Sequence, residues 1–93
     1  MTKKEKQHIW KLIANENRRE IIMLLAESSK RVIELEKCLN LSQSSISQHL
    51  KRLKAVGLVG VEQRSKTKVF MLLPEKIREV LSDLQLAQNP QKG

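Results

Sequence analysis

Apolar positions recur along this chain with two different periods. From Ile9 to Leu53 they are spaced by three and four residues; beyond Gly57 they alternate. The first regime predicts four helices. Ile9, Trp10, Leu12 and Ile13 mark helix one, over about 5–14. Ile21, Ile22, Leu24 and Leu25 form the buried face of helix two, which Asn15 or Asn17 can cap and Ser28-Ser29-Lys30 ends. Helix three spans Val32–Leu39, with Leu35, Cys38 and Leu39 on its inner side. Asn40 tolerates the left-handed conformation that closes a helix, and Leu41 follows as an apolar plug. Ser42 is a good N-cap for helix four, whose Ile46, Leu50 and Leu53 recur at i, i+4 and i+7. Gly57 ends that helix as a C′ glycine.

In the second regime Val59 and Val61 alternate with Gly60 and Glu62. Ser65-Lys66-Thr67 can turn, and Val69–Leu73 is rich in strand-forming residues. This predicts a two-stranded hairpin. Pro74 then opens a last helix, where its missing N–H costs nothing, and Ile77, Val80, Leu81 and Leu84 supply an apolar stripe. The expected fold is mainly α with a small β-hairpin, in the order ααααββα. It forms a single domain over 1–93, with 1–7 and 88–93 as flexible tails. A chain of 93 residues buries little surface by itself, so a second subunit would add to its core.

Charge sharpens the picture through its distribution. Residues 1–42 carry nine basic and six acidic side chains, and residues 74–93 carry three of each. Between them, Lys51, Arg52, Lys54, Arg64, Lys66 and Lys68 stand against Glu62 alone. A nearly acid-free basic stretch suits a polyanion. It coincides with helix four and the hairpin. Helix three, a short turn and helix four make a helix-turn-helix, and the hairpin makes it winged. Leu35, Leu39, Leu41, Ile46 and Leu50 pack the two helices together. Gln43, Ser44, Ser45, Ser47 and Gln48 are left to face outward, small enough for a major groove about 12 Å wide, where Gln can pair with the adenine edge. Lys51, Arg52 and Lys54 follow along the helix toward phosphates. Arg64, Lys66 and Lys68 sit in the hairpin, within reach of the flanking backbone or minor groove.

The segments LIANENRREIIMLL and VIELEKCLNLSQSSISQHLKRLKAVGLV resemble the ArsR/SmtB family of bacterial and archaeal repressors, over about Leu12 to Leu73. The resemblance implies a transcriptional repressor that binds double-stranded DNA as a homodimer paired through its first and last helices. Ile9, Trp10, Ile13, Ile77, Val80, Leu81 and Leu84 would then lie at the interface. It also implies that Gln43, Ser44, Ser47 and Gln48 contact bases. Two positions depart from the family pattern: Glu36 stands where Ala is usual, and Lys66 lies near the usual wing glycine.

Metal sensing, common in that family, is not expected. The stretch Lys30-Arg31-Val32-Ile33-Glu34 lacks the Cys-x-Cys box, and the last helix, Pro74–Ala87, carries neither His nor Cys and only Asp83 as an aspartate. One Cys and two His in the whole chain are too few for a site built on those ligands, so no metal and no cofactor are expected. Cys38 reads as a small buried hydrophobe, with a thiol switch as its sharper alternative. His49 suits a phosphate contact or helix packing equally; His8 and Trp10 suit the core or the dimer face.

No glycine-rich phosphate loop, HExxH or GxSxG occurs, so no enzyme is expected. The lone cysteine, the absence of a run of about 20 apolar residues and a charged N-terminus without an apolar segment suggest a cytoplasmic protein without a membrane partner. The sequence assigns no effector ligand. The alternative to a DNA-binding regulator is a winged-helix module that contacts another protein and has little or no specific DNA binding. RNA is disfavoured, because A-form major grooves do not admit a helix and the chain is poor in stacking aromatics.

Overall fold

The computed structural model describes residues 2–80. It contains α1 (Lys3–Ile13), α2 (Glu16–Glu27), α3 (Val32–Cys38), α4 (Gln43–Ala55), β1 (Val59–Arg64) and β2 (Thr67–Leu72). A further helix, α5, is described over 74–80. The order is the expected ααααββα. Leu81, Leu84 and the expected tail at 88–93 lie outside the described residues.

Helix boundaries follow from local capping. α1 begins at Lys3, not near residue 5, so most of the expected N-terminal tail is helical. Thr2 and Glu5 form a reciprocal capping box: Thr2 Oγ1 accepts from the Glu5 N–H and the Thr2 N–H donates to Glu5 Oε1, both at 3.1 Å. Of the two asparagines that could cap α2, Asn15 does so, its Oδ1 accepting from the Arg18 N–H at 3.0 Å. At α3 the Arg31 N–H donates to Glu34 Oε1 at 2.9 Å. Ser42 caps α4 as expected, accepting from the Ser45 N–H at 3.1 Å.

The end of α3 differs from expectation in two ways. Asn40 is not left-handed; among the described residues Ser65 is the only non-glycine with positive φ. The chain instead leaves the helix at Leu39 in an extended conformation (φ −116, ψ 143). That exit carries Leu39 into the core and leaves Cys38 outside. Cys38 is exposed, correcting its reading as a buried hydrophobe. It borders a shallow groove with Glu20, Met23, Leu24, Glu27 and Leu39.

Gly57 does close α4. Its φ is +79, the Leu58 N–H donates to the Leu53 carbonyl and the Gly57 N–H to the Lys54 carbonyl, both at 3.0 Å. This is a Schellman motif. Lys76 Nζ adds a third contact, donating to the Val56 carbonyl at 2.8 Å.

The hairpin pairs β1 and β2 antiparallel, from Val59 opposite Leu72 to Arg64 opposite Thr67. Thr67 belongs to the strand, so the turn is the two residues Ser65-Lys66, with Ser65 at φ 58. Lys30 and Phe70 exchange backbone hydrogen bonds of 2.9 and 2.7 Å, fastening the hairpin to the α2–α3 connection. Ile21, Leu35, Ile46, Leu50, Leu53, Leu58 and Val59 are fully buried, so one core joins α2, α3, α4 and the base of the hairpin.

Candidate nucleic-acid interface

α4 carries the candidate site, and its geometry follows from helical spacing. At about 100° per residue, Gln43, Ser44, Ser47, Gln48, Lys51 and Lys54 fall within an arc of about 140°. Ile46, Leu50 and Leu53 fall on a separate arc of about 60°, which adjoins the Gln43 edge of the polar one, and are buried at 0, 1 and 0% exposure. The six polar residues are all exposed. Their order along the axis is significant: amides and hydroxyls occupy the N-terminal half and ammonium groups the C-terminal half, over a rise of about 16 Å from Gln43 to Lys54. The first half can meet base edges while the second meets phosphates.

Ser45 does not join this face. It is half-buried, and its Oγ accepts from Ser42 Oγ at 3.0 Å, so its hydroxyl is engaged in the helix cap. Arg52 is exposed on the flank of the arc.

The hairpin presents Arg64, Lys66 and Lys68, all exposed. Lys66 stands in the turn. Alternation along the strands puts Arg64 and Lys68 on opposite faces of the ribbon. Arg64 Nη2 donates to Glu62 Oε2 at 3.3 Å, so the one acidic residue of this region partly neutralises it.

A polar cluster that sequence periodicity did not reveal lies behind α4. Arg18 is buried, with Nε 2.6 Å from the Leu12 carbonyl and Nη1 3.4 Å from His49 Nδ1. Burial, then the charges of Arg18 and Arg52, holds the His49 pKa below its ordinary value. Burial, then Arg52, lowers that of Arg18 as well. A signal was present: Arg18, Ile21 and Leu25 share helical spacing, so a cation stands in line with a buried stripe.

α1, α2 and α5 border an apolar groove lined by Ile9, Ile13, Ile22, Met23, Ile77 and Val80, with Arg19 beside it. Ile9 and Val80, expected at a subunit interface, are already covered within one chain and form part of its core. Trp10 and Met23 remain open, at 36 and 67% exposure. Among the described residues no group of three or more His, Cys, Asp or Glu could hold a metal ion, and no helix is long and apolar enough to cross a membrane.

Comparison with known proteins agrees with this architecture. Residues 15–61 match the family model for bacterial regulatory proteins of the ArsR family. The transcriptional activator HlyU of Vibrio cholerae is 35% identical over 71 residues, covering 76% of this chain and 66% of HlyU. The solved structure of HlyU superposes with a TM-score of 0.76 at 32% identity, covering 90% of this chain and 94% of that one. The transcriptional repressor SmtB of Mycobacterium tuberculosis is 35% identical over 63 residues, 68% of this chain but 47% of SmtB, so the match spans about half of that relative. A solution structure of Mb0332 from Mycobacterium bovis, described as a homodimeric winged helix-turn-helix DNA-binding domain, shares the fold with a TM-score of 0.75 at 21% identity, covering 96% of this chain and 83% of that one. The helix-turn-helix with its wing, and the matched segment that contains α2 to the start of β1, lead to one conclusion: the chain belongs to the ArsR family of transcriptional regulators and is built on that family's winged helix-turn-helix DNA-binding domain.

Proposed function

We propose that this chain is a cytoplasmic, homodimeric repressor that binds a pseudo-palindromic operator in double-stranded DNA. One observation carries the reading: the exposed Gln43, Ser44, Ser47 and Gln48 share one face of α4, separate from the face on which Ile46, Leu50 and Leu53 are buried. A helix so anchored offers its amides and hydroxyls to a major groove while Lys51, Arg52 and Lys54 meet phosphates, and Arg64, Lys66 and Lys68 hold the neighbouring backbone. Ser45 serves the cap and takes no part in base reading. The dimer forms through α1 and the last helix: Ile13 and Ile77 line the apolar groove, Trp10 is exposed on α1, and the largely buried Ile9 and Val80 form the groove's floor; Leu81 and Leu84, outside the described residues, are assigned to the same interface from the sequence. The homodimer described for Mb0332 supports dimerisation, and the repressor SmtB supports the sign of regulation. HlyU is described as an activator; repression is proposed for this chain because a dimer seated across a promoter blocks polymerase.

Two such helices would enter successive major grooves about 34–36 Å apart. Selection of bound sequences from random duplex DNA, with the mass of the protein measured in solution, tests the whole reading. The expected result is a dimer and a two-fold symmetric site with half-sites one helical turn apart. A monomer, or no enrichment of any sequence, refutes it and favours a protein-binding winged helix.

A further inference from the structure

α4 is held in place by a polar tie as well as by its apolar side. Arg18, in the first turn of α2, reaches two other helices. Its Nε–H donates to the carbonyl of Leu12, in the last turn of α1, at 2.6 Å. Its Nη1 lies 3.4 Å from Nδ1 of His49, midway along α4. A guanidinium carries only donors and does not lose its proton in proteins. His49 Nδ1 must therefore accept, which fixes the ring as the neutral tautomer with its proton on Nε2. The contact joins the side of the molecule that carries the apolar groove to the helix that carries Gln43 to Lys54.

We propose that Arg18 is a positioning residue for DNA reading: it fixes α4 against α1 through a neutral His49, and protonation of that ring releases the tie and lowers operator discrimination. The inference rests on the operator-binding function proposed above. A protonated His49 would turn an N–H toward Arg18 and place three cations together. The charges acting on the ring are Arg18 from α2 and Arg52 from α4 itself. α3 and β1 also pack against α4 and add no charge to it among the described residues, and α1 contributes only the Leu12 carbonyl, through Arg18. Among the described residues no carboxylate acts on the ring to stabilise the imidazolium, and burial, then Arg18 and Arg52, lower the His49 pKa. Discrimination is the sensitive quantity because base contacts require placement to within about 0.5 Å, whereas phosphate contacts tolerate movement.

The sign separates this device from ordinary electrostatics. Acidification adds positive charge to the protein, so binding to any duplex should strengthen. The proposal requires the ratio of operator to random-duplex affinity to fall. The experiment measures that ratio by fluorescence anisotropy from pH 7.5 to 5.0, using the selected operator and a scrambled duplex, for the wild type, His49→Gln and Arg18→Met. Nitrogen-15 shifts of the His49 ring are recorded on the free full-length chain over the same range. The wild-type ratio is expected to fall by up to about tenfold per unit by which the tie displaces the His49 pKa. His49→Gln, which keeps an acceptor but cannot titrate, is expected to give a pH-independent ratio. Arg18→Met is expected to give a low ratio at every pH. A ratio that stays level in the wild type, an equal decline in His49→Gln, or a ring protonated on Nδ1 at pH 7.5 overturns the proposal. The ring measurement needs no DNA, so a failure of operator binding and a failure of the Arg18–His49 tie are told apart even if Arg18→Met does not fold.

Discussion

Replacing Gly57 by alanine tests how α4 is terminated. The residue sits at φ +79, where an L side chain meets its own carbonyl at a cost of about 1–2 kcal/mol. Alanine recovers part of this, roughly 0.5 kcal/mol, by restricting the unfolded chain. A Cβ built at this position also lies 3.1 Å from Lys76 Nζ, the flexible end of a side chain that can move by a few tenths of an ångström. The net loss is therefore about 1 kcal/mol and arises in the backbone. For a domain of this size it lowers Tm by about 4–8 °C. Urea or thermal denaturation at fixed protein concentration measures it, because a dimer's stability depends on concentration. Asparagine, which accepts the left-handed region more readily, should lose less than alanine. The same substitution in a Lys76→Met background separates the causes: backbone strain predicts an equal loss in both backgrounds. A Gly57→Ala protein as stable as the wild type, or a loss that vanishes in the Lys76→Met background, would refute the reasoning.

Other substitutions probe the cap, the turn, the charges and the histidine. Ser42→Ala removes the acceptor for the Ser45 N–H and should cost about 1 kcal/mol of unfolding free energy; an unchanged denaturation midpoint would show that water caps the helix equally well. Ser65→Gly relieves φ 58 at the wing turn and should stabilise the fold by about 0.5–1 kcal/mol, visible as a higher Tm; a lower Tm would contradict it. Lys66→Ala should weaken binding to all duplexes and reduce the salt slope by about 0.9 for each phosphate that is no longer neutralised, with a smaller effect for Arg64→Ala because Glu62 already pairs with it. Gln43→Ala should instead reduce operator preference while random-duplex binding survives, and a gel-shift competition that shows unchanged preference would remove Gln43 from base reading. His49 has a folded pKa below its ordinary value of 6.5, so the unfolded chain takes up its proton first. Stability from this group is complete above pH 6.5 and is lost as pH falls from there toward the folded pKa. Tm should drop between pH 7.5 and 5.5 in the wild type and drop less in His49→Gln.

Much of this protein can be read from its sequence because it depends on local periodicity. The spacing of Ile46, Leu50 and Leu53 determines which side of α4 is buried, and by subtraction which residues face outward. Ser42 and Gly57 mark the ends of that helix through chemistry confined to a few neighbours: a side-chain acceptor for a free N–H, and a backbone that can turn left-handed. The switch to alternation after Gly57 likewise announces the hairpin. These features involve residues within a turn or two of each other, so the sequence alone determines them.

Other features required the chain to be folded. Cys38 and Leu39 are adjacent, yet one is exposed and the other buried, because the path of the chain after α3 depends on where α4 must pack. Ser45 looks like its neighbours in sequence but is committed to the Ser42 cap. Arg18 shows the limit most clearly. Its place on a buried stripe hints that it faces inward, but its partners are a carbonyl six residues before it and an imidazole thirty-one residues after it. Periodicity assigns a residue to a face of its own helix. Only the packing of three helices determines what that face meets, because a buried cation must find whatever acceptors the assembled fold brings within reach.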